Sequence, residues 1–269
     1  MGTAGKRLER RKQARAKLSD LVAKQHKVLI IHYSCESFYD QPPDASPRIT
    51  CIAVRSLDTN QTESFSIQDM ALKRRLSADA IEAQYDALER KMLDAFYKHV
   101  QGRLQQTWLH WNMRNRQYGF SAIAHRYEVL GGKPTAIPDE NMVDLSQLLE
   151  DAYGPRYAPH RRLTKIALKN GLSHQDFLEG SEEAQSFVDK SYGRLQGSTL
   201  RKVDTLVSLV RLAADDTLKT YARFYSIRDV PQLIAEMLVE KWYFVIPTII
   251  ATWAALFIGI IPYIQQHHI

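Results

Sequence analysis

The sequence predicts an α/β domain, with a mixed β-sheet flanked by helices, followed by a carboxyl-terminal transmembrane helix. Three observations lead to this prediction. An apolar run near the start is typical of a buried strand, two alternating segments follow it as a hairpin, and strands and helices then alternate along the chain. The 269 residues are 45% hydrophobic and 25% charged, as in an ordinary folded protein.

The first three predicted strands follow one another along the chain. The run KVLIIHYSC (27–35) is rich in Val and Ile, which is typical of a buried strand. After a proline-rich loop, RITCIAVRSL (48–57) and QTESFSI (61–67) alternate between apolar and polar residues. The short polar segment between these two predicts a β-hairpin.

Helices and strands alternate in the rest of the domain, which predicts a sheet covered by helices. Ser77 can cap a helix that continues to about Val100. Asp144 is placed to cap a later helix. The remaining predicted elements are a strand at 107–111, a helix at 120–130 ended by two glycines, a short strand at 137–143, and helices at 161–170, 181–195 and 198–214.

The amino-terminal segment is strongly basic. Residues 1–27 hold nine Lys or Arg against Glu9 and Asp20, so their net charge of +7 exceeds the +6 of the whole chain. We therefore predict a basic arm at 1–26, helical over 5–26, with a weak apolar stripe at Ala14, Leu18 and Leu21/Val22. Such an arm suits phosphate contacts with DNA or RNA, a solvated surface, or attraction to anionic lipid. The nucleic-acid-binding candidates in it are Arg10, Arg11, Lys12 and Arg15.

A membrane segment is predicted near the carboxyl end. Trp242–Ile264 has no charged residue over 23 positions, which is long enough to span a bilayer. Aromatic residues lie at both ends of it, as in interfacial anchors, and a buried core helix is the alternative. Lys and Arg precede the span and none follows it, which predicts a single-pass tail anchor with the large domain in the cytoplasm. The segment 218–241 is then a helical juxtamembrane linker.

Other classes of site lack their sequence patterns. Cys35 and Cys51 both fall in predicted strands, and two cysteines in this length give no disulfide framework. The nine His and two Cys show no zinc-ligand spacing. A glycine-rich phosphate loop and a nucleophile elbow are also missing from the sequence.

Three polar motifs occur in order along the predicted elements. Ser34-Cys35-Glu36-Ser37 ends the first strand, LHWNMRNRQYGF (109–120) follows the fourth, and Asp204 lies on a late helix. Together with the order of elements, these motifs resemble the ribonuclease H-like fold and, within it, the DEDD 3'-5' exonuclease family. The resemblance covers roughly residues 27–214 and places this domain at 27–217.

The resemblance implies a degenerate active site. The family uses four carboxylates to hold two Mg²⁺ ions, and here only Glu36 and Asp204 match acidic positions. Ser34 stands where the first aspartate is expected, and the second-motif aspartate falls at Asn115 or Arg116. The candidate catalytic and metal-binding residues are therefore Glu36 and Asp204, with Mg²⁺ or Mn²⁺ bound weakly or not at all. Asp40 and Asp144 are alternative ligands, and a solvated carboxylate is the simpler interpretation of both candidates.

These observations lead to three hypotheses for function. The first is a membrane-tethered protein that binds or senses nucleic acid and is not an enzyme, with further candidate contacts at His110, Asn112, Arg161 and Arg162. The second is an active nuclease with an altered metal shell. The third is a membrane-anchored scaffold or effector subunit that assembles with a protein partner or with itself. Antiviral defence against phage would suit such a sensor by analogy only.

Overall fold

The computed structural model describes residues 3–37, 46–114 and 118–222 of the chain. Gln13–Ala222 forms one compact unit, and Met1–Lys12 with Arg223–Ile269 forms the other. The predicted linker beyond Ala222 and the predicted span at 242–264 lie outside the described residues. Among the helices in the described ranges, none is both long and apolar enough to cross a membrane.

The centre of the fold is a five-stranded mixed sheet of order β3-β2-β1-β4-β5. β1 pairs antiparallel with β2, and β2 with β3, while β4 and β5 continue the sheet in parallel on the other side of β1. The predicted mixed sheet is therefore confirmed, and its arrangement is consistent with a ribonuclease H-like fold. The strands are β1 Val28–Cys35, β2 Ile49–Ser56, β3 Thr62–Ser66, β4 Thr107–His110 and β5 Met142–Asp144.

Nine α-helices occur in the part of the chain that the structure describes, together with two short 3-10 turns at Gln25–Lys27 and Asp139–Asn141. The helices are α1 Thr3–Ala23, α2 Ile67–Arg74, α3 Ala78–Ala83, α4 Tyr85–Gln101, α5 Phe120–Val129, α6 Leu145–Tyr153, α7 Arg162–Lys169, α8 Gly180–Val188 and α9 Tyr192–Ala214.

Helix boundaries differ from the prediction in several places. The helix expected over 77–100 is two helices, which break at Gln84, although Ser77 caps the first of them as predicted. α2 was not predicted, because the alternation of apolar and polar residues that predicts β3 continues to Ile67, where α2 begins. Ser66 Oγ accepts the backbone N–H of Asp69 at 2.9 Å and turns the chain from strand to helix. The helix predicted over 181–195 ends at Val188 as α8, and α9 begins at Tyr192, six residues before the predicted start at 198.

Helices cover both faces of the sheet, so β1 is buried along its whole length. Alternate β1 residues, among them Ile31 and Tyr33, join a core built with α2 to α5. Ile30 lies in a second core that contains parts of α6, α7 and α9. The predicted stripe of α1 (Ala14, Leu18 and Leu21) is buried in this second core. The compact unit therefore begins within α1 and not at the start of β1.

Candidate site at the end of the first strand

Ser34 lies where the resemblance expects the first carboxylate, and its side chain is fully buried among hydroxyl groups. Its Oγ is 2.6 Å from Thr50 Oγ1 of β2 and 3.0 Å from Thr199 Oγ1 of α9. The Thr199 hydroxyl also donates to the carbonyl of Leu195 at 2.9 Å. We call Ser34, Thr50 and Thr199 the hydroxyl cluster. The oxygen atoms of this cluster belong to neutral hydroxyl groups. Mg²⁺ favours negatively charged carboxylate oxygens, so the cluster does not fit a pair of Mg²⁺ ions.

The register of α9 explains why Asp204 does not reach this point. Thr199 faces Ser34, whereas Asp204 bonds through Oδ1 to Arg55 Nη1 at 2.6 Å. Arg55 pairs across the sheet with Ile30, six residues before Glu36. Six strand residues span about 20 Å at ~3.3 Å each. The structure therefore does not bring Glu36 and Asp204 together, and the two carboxylates lie too far apart to share a metal ion.

Glu36 lies just past β1, partly exposed, and faces Arg48. Its backbone N–H donates to the Arg48 carbonyl at 2.8 Å, and its carboxylate accepts the Arg48 N–H at 3.4 Å. The Arg48 guanidinium is 2.7 Å from a carboxylate oxygen of Glu82. Among the described residues, no group of three or more His, Cys, Asp or Glu side chains could hold a metal ion. The alternative ligand Asp40 lies outside them.

The described residues of the motif after β4 mainly build the loop. His110, predicted to contact nucleic acid, is fully buried, and its Nδ1 accepts the backbone N–H of Met113 at 3.2 Å. Burial lowers the pKa of His110 to about 4, against the opposing charge of Asp144. A buried, neutral imidazole cannot reach a phosphate, which corrects that prediction. Asn112 is exposed and adopts a left-handed conformation with φ of 54°.

Asp144 is committed to the backbone. Its Oδ1 accepts the N–H of Asn112 at 3.1 Å and that of Ser146 at 3.0 Å, so it caps α6 and also fixes the loop after β4. The capping role was predicted, and it explains why Asp144 is a poor substitute metal ligand. Asn115 and Arg116, the two possible positions of the second-motif aspartate, lie outside the described residues.

The same loop closes against β1. The Gly119 N–H donates to the Tyr33 hydroxyl at 3.0 Å, and the Tyr118 ring stacks on Tyr33 at 4.8 Å between centroids. Gly119 has a φ of 146°, and a Cβ at this position would overlap the carbonyl of Met113. The aromatic and glycine residues of the motif thus hold the loop against the strand.

A buried ion pair beside the hydroxyl cluster was not predicted. Lys202 lies on α9 nearly one turn beyond Thr199, and its Nζ is 2.6 Å from Glu183 Oε1 of α8, with both side chains buried. Burial, and then the charge of Lys202, lowers the pKa of the adjacent His32. A single sequence holds no signal that pairs residues on different helices in this way.

The basic residues predicted to contact nucleic acid differ in their ion pairing and in their exposure. Arg15 pairs with Asp216 at 3.0 Å, Arg161 with Glu179 at 2.6 Å, and Arg162 with Glu150 at 2.6 Å. Arg10 and Lys12 of α1 are exposed, and Arg11 is half-buried. Ion pairing lowers the positive charge available for phosphate at the first three positions.

No protein-family model matches the chain, and no curated protein matches it. Among solved structures, it is similar to a family B DNA polymerase from the hyperthermophilic archaeon Pyrobaculum calidifontis, at 14% identity and a TM-score of 0.45 over 71% of this chain and 26% of that one. It is also similar to a Mos1 mariner paired end complex with Mn, at 13% identity and a TM-score of 0.27 over 83% of this chain and 65% of that one. The chain thus spans about a quarter of the polymerase, and likeness this weak has no bearing on the residues of the site.

Proposed function

We propose that this protein binds nucleic acid through a ribonuclease H-like domain that has lost two-metal hydrolysis, and that residues 242–264 tether it to a membrane. The observation that carries this proposal is the hydroxyl cluster. Where the resemblance expects carboxylates to converge on metal ions, Ser34, Thr50 and Thr199 bond to one another instead.

Loss of hydrolysis follows from the chemistry of these groups. Two-metal catalysis needs carboxylates that hold two cations about 3.5–4 Å apart. Neutral serine and threonine hydroxyls bind Mg²⁺ poorly, because a hard cation favours anionic oxygen. Each hydroxyl of the cluster is also already paired within the protein. The domain therefore keeps a nuclease-like framework without the catalytic donor set.

Binding is assigned to the exposed basic side chains of α1. Arg10, Lys12 and Lys17 are exposed on this helix, and they lie in the segment that carries the excess positive charge of the chain. Lys and Arg side chains bind nucleic acid by displacing counterions from phosphates, so affinity falls as salt rises. Arg161 and Arg162 are paired with carboxylates and should contribute less to binding.

The binding test uses the full-length protein in detergent, labelled single- and double-stranded DNA and RNA, and a salt titration. Changing Arg10, Lys12 and Lys17 to Gln should weaken binding. It should also lower the slope of log K against log salt by about 0.7–0.9 for each phosphate that the variant no longer neutralises. The matched control changes three exposed basic residues elsewhere, Lys73→Gln, Arg74→Gln and Lys98→Gln. An equal loss of affinity in both triple variants would show that net charge alone, and not α1, governs binding.

Two further measurements test the remaining parts of the proposal. The wild type should not cleave labelled DNA or RNA in Mg²⁺ or Mn²⁺. Cleavage that disappears in Glu36→Gln and Asp204→Asn would support the active-nuclease alternative instead. Deleting residues 241–269 should move the protein from the membrane to the soluble fraction. Continued sedimentation with membranes after a high-salt wash would contradict the tether.

A further inference from the structure

The segment around α7 is basic throughout. Residues 153–175 contain five Lys or Arg, Arg156 among them, and no Asp or Glu. α7 buries Leu163, Ile166 and Ala167 in the protein interior, which leaves Lys165, Leu168 and Lys169 exposed on its outer side. The exposed side of this helix therefore combines two ammonium groups with an apolar side chain.

The charges on this surface are largely uncompensated. The two arginines at the start of α7 are paired with carboxylates. Within the described part of the chain, no ion pair involves Arg156, Lys165, Lys169 or Lys219. Lys169 Nζ instead lies 4.4 Å from the centre of the Tyr221 ring. These four cations can attract an anionic partner without first breaking an ion pair.

The chain passes over this surface on its way to the predicted span. Asn170 holds the backbone of Lys219 with two hydrogen bonds, accepting its N–H at 2.8 Å and donating to its carbonyl at 2.9 Å. The Tyr221 N–H donates to the carbonyl of Tyr157 at 2.8 Å. Only the 19 residues 223–241 then separate Ala222 from Trp242. A linker of 19 residues is about 30 Å long if it forms the predicted helix.

We propose that the α7 surface docks on the anionic phospholipid headgroups of the bilayer. We define this surface as Arg156, Lys165, Leu168, Lys169, Lys219 and Tyr221. It combines positive charge with an exposed leucine and an exposed tyrosine, as interfacial segments do. Basic residues next to a membrane anchor are attracted by acidic lipid within a Debye length. This inference rests on the membrane tether of the proposed function. It adds the surface by which the domain is held against the bilayer.

Nucleic acid is the competing partner for a basic surface. Two observations favour lipid. The last described residues of the chain, Tyr221 and Ala222, lie at this surface, and Leu168 and Tyr221 remain 41% and 45% exposed. A phosphate backbone offers no apolar contact to a leucine, whereas the headgroup boundary of a bilayer does.

The test places one fluorophore on the full-length protein in nanodiscs. Cys35 and Cys51 are buried, so a cysteine introduced at an exposed position is labelled selectively. Ser173→Cys reports from the loop after α7, and Lys91→Cys reports from α4 on the other face of the sheet. The discs contain phosphatidylcholine with or without phosphatidylserine and a lipid with a spin-labelled headgroup, which quenches a nearby fluorophore.

The label at position 173 should be quenched more than the label at 91, and only in discs with phosphatidylserine. Lys165→Glu with Lys169→Glu should remove most of this difference, as should salt near 1 M, where screening acts beyond about 3 Å. The matched control Lys73→Glu with Arg74→Glu should leave it unchanged.

Three outcomes would overturn the inference. Equal quenching at both positions, or a difference that survives the charge reversal on α7, would show that this surface does not face lipid. A response of the label at 173 to added DNA or RNA, without lipid-dependent quenching, would assign the surface to nucleic acid. Failure of the tether is distinguishable, because the protein would then leave the discs in an alkaline wash. Protein that stays embedded without differential quenching refutes only the docking surface.

Discussion

Two neighbouring residues of β2, Ile49 and Thr50, lead into buried polar regions of opposite character. The Ile49 N–H donates to Glu89 at 2.6 Å, and Glu89 in turn accepts three hydrogen bonds from Arg126. We call Glu89, Arg126 and Asp86 the ionic cluster. The Thr50 hydroxyl instead joins the neutral hydroxyl cluster at the end of β1.

The contrast shows where this fold tolerates buried charge. Glu89 is fully buried, but a guanidinium and a backbone N–H satisfy its oxygens, and Arg126 also bonds Asp86 at 2.7 Å. Near Ser34 no such cation is bonded to the cluster, and the side chains of its three members are uncharged. A buried charge is stable only when it is paired and hydrogen-bonded. The three side chains of the hydroxyl cluster are therefore neutral, although the buried Lys202–Glu183 ion pair lies beside them.

The largest effect is expected where the ionic cluster loses its cation. Arg126→Met should cost about 3–5 kcal/mol, because it leaves a buried carboxylate with little compensation. Burial raises the pKa of Glu89, and Arg126 opposes that rise. Without Arg126 the folded-state pKa rises further. In this variant, protonated Glu89 keeps its contribution to stability below the pKa that Glu89 has in the unfolded state. The contribution is lost as pH rises through the pKa that Glu89 has in the folded state. Denaturant unfolding should therefore show a larger deficit at pH 8 than at pH 5.

The control for this change is Arg74→Met, which removes an exposed arginine from the end of α2. Little loss of stability is expected there. A similar loss in both variants, or a deficit in Arg126→Met that does not change with pH, would contradict the account of Glu89 as a buried charge held by its partner.

Introducing charge into the hydroxyl cluster should be the next most damaging change. Ser34→Asp should cost about 3 kcal/mol at pH 8, because the nearby cation, Lys202, is already paired with Glu183. The Asn side chain in Ser34→Asn has nearly the same volume as Asp but no charge. The difference in stability between the two variants therefore isolates the cost of charge from that of size. Equal destabilisation would mean that the cluster rejects volume and not charge.

A double variant sharpens the same comparison. Ser34→Asp with Thr199→Asp places two carboxylates on positions 3.0 Å apart at their hydroxyl oxygens. Mn²⁺ should raise the melting temperature of this variant but not that of the wild type. No response to Mn²⁺ in a folded double variant would count against the correspondence of Ser34 with the first metal-binding position of the family.

Acid sensitivity should come in part from the buried His110 and not from the ionic cluster. The pKa of His110 is lowered from 6.5 to about 4, so the unfolded state binds more protons between these values. His110 then contributes stability that is present above pH 6.5 and lost as pH falls. The loss amounts to about 2 kcal/mol between pH 7 and pH 5. Glu89 acts in the opposite direction, because its pKa is raised.

His110→Asn tests this, because the Asn carbonyl oxygen can accept the Met113 N–H that Nδ1 accepts in the wild type. The variant should unfold with a flatter dependence on pH over this range. His125→Asn, at an exposed position of α5, is the matched control and should keep the wild-type dependence. An unchanged slope in His110→Asn would assign the acid sensitivity to other groups.

Local patterns were enough to predict the sheet but not the site. Continuous apolar runs and period-two alternation mark β1, β2 and β3, and each strand lies within two residues of its predicted bounds. The break at Gln84 was missed because the apolar periodicity continues across it from Ile81 to Leu88. Helix boundaries depend on capping contacts, which periodicity does not report.

The site could not be assembled because its members are distant in sequence. The sequence identified Ser34 as the position where the first carboxylate is missing. Its partners Thr50 and Thr199, however, are 16 and 165 residues away from it. One signal was available. Leu195, Thr199, Val203 and Leu206 recur at helical spacing, which puts Thr199 on the inward face of α9 and Asp204 beside it. That pattern could have shown that Asp204 does not point at β1.

The smallest expected effect measures the hydroxyl cluster itself. Ser34→Ala should cost about 1–2 kcal/mol, because the buried Thr50 hydroxyl then loses its partner, whereas Thr199 keeps the carbonyl of Leu195. Replacing both partners, in Ser34→Ala with Thr50→Val, should cost less than the sum of the single changes, since no polar group is left unpaired. A double-mutant cycle from denaturant unfolding gives this coupling. Strict additivity would mean that Ser34 and Thr50 do not stabilise each other, and the neutral character of this region would then need a different cause.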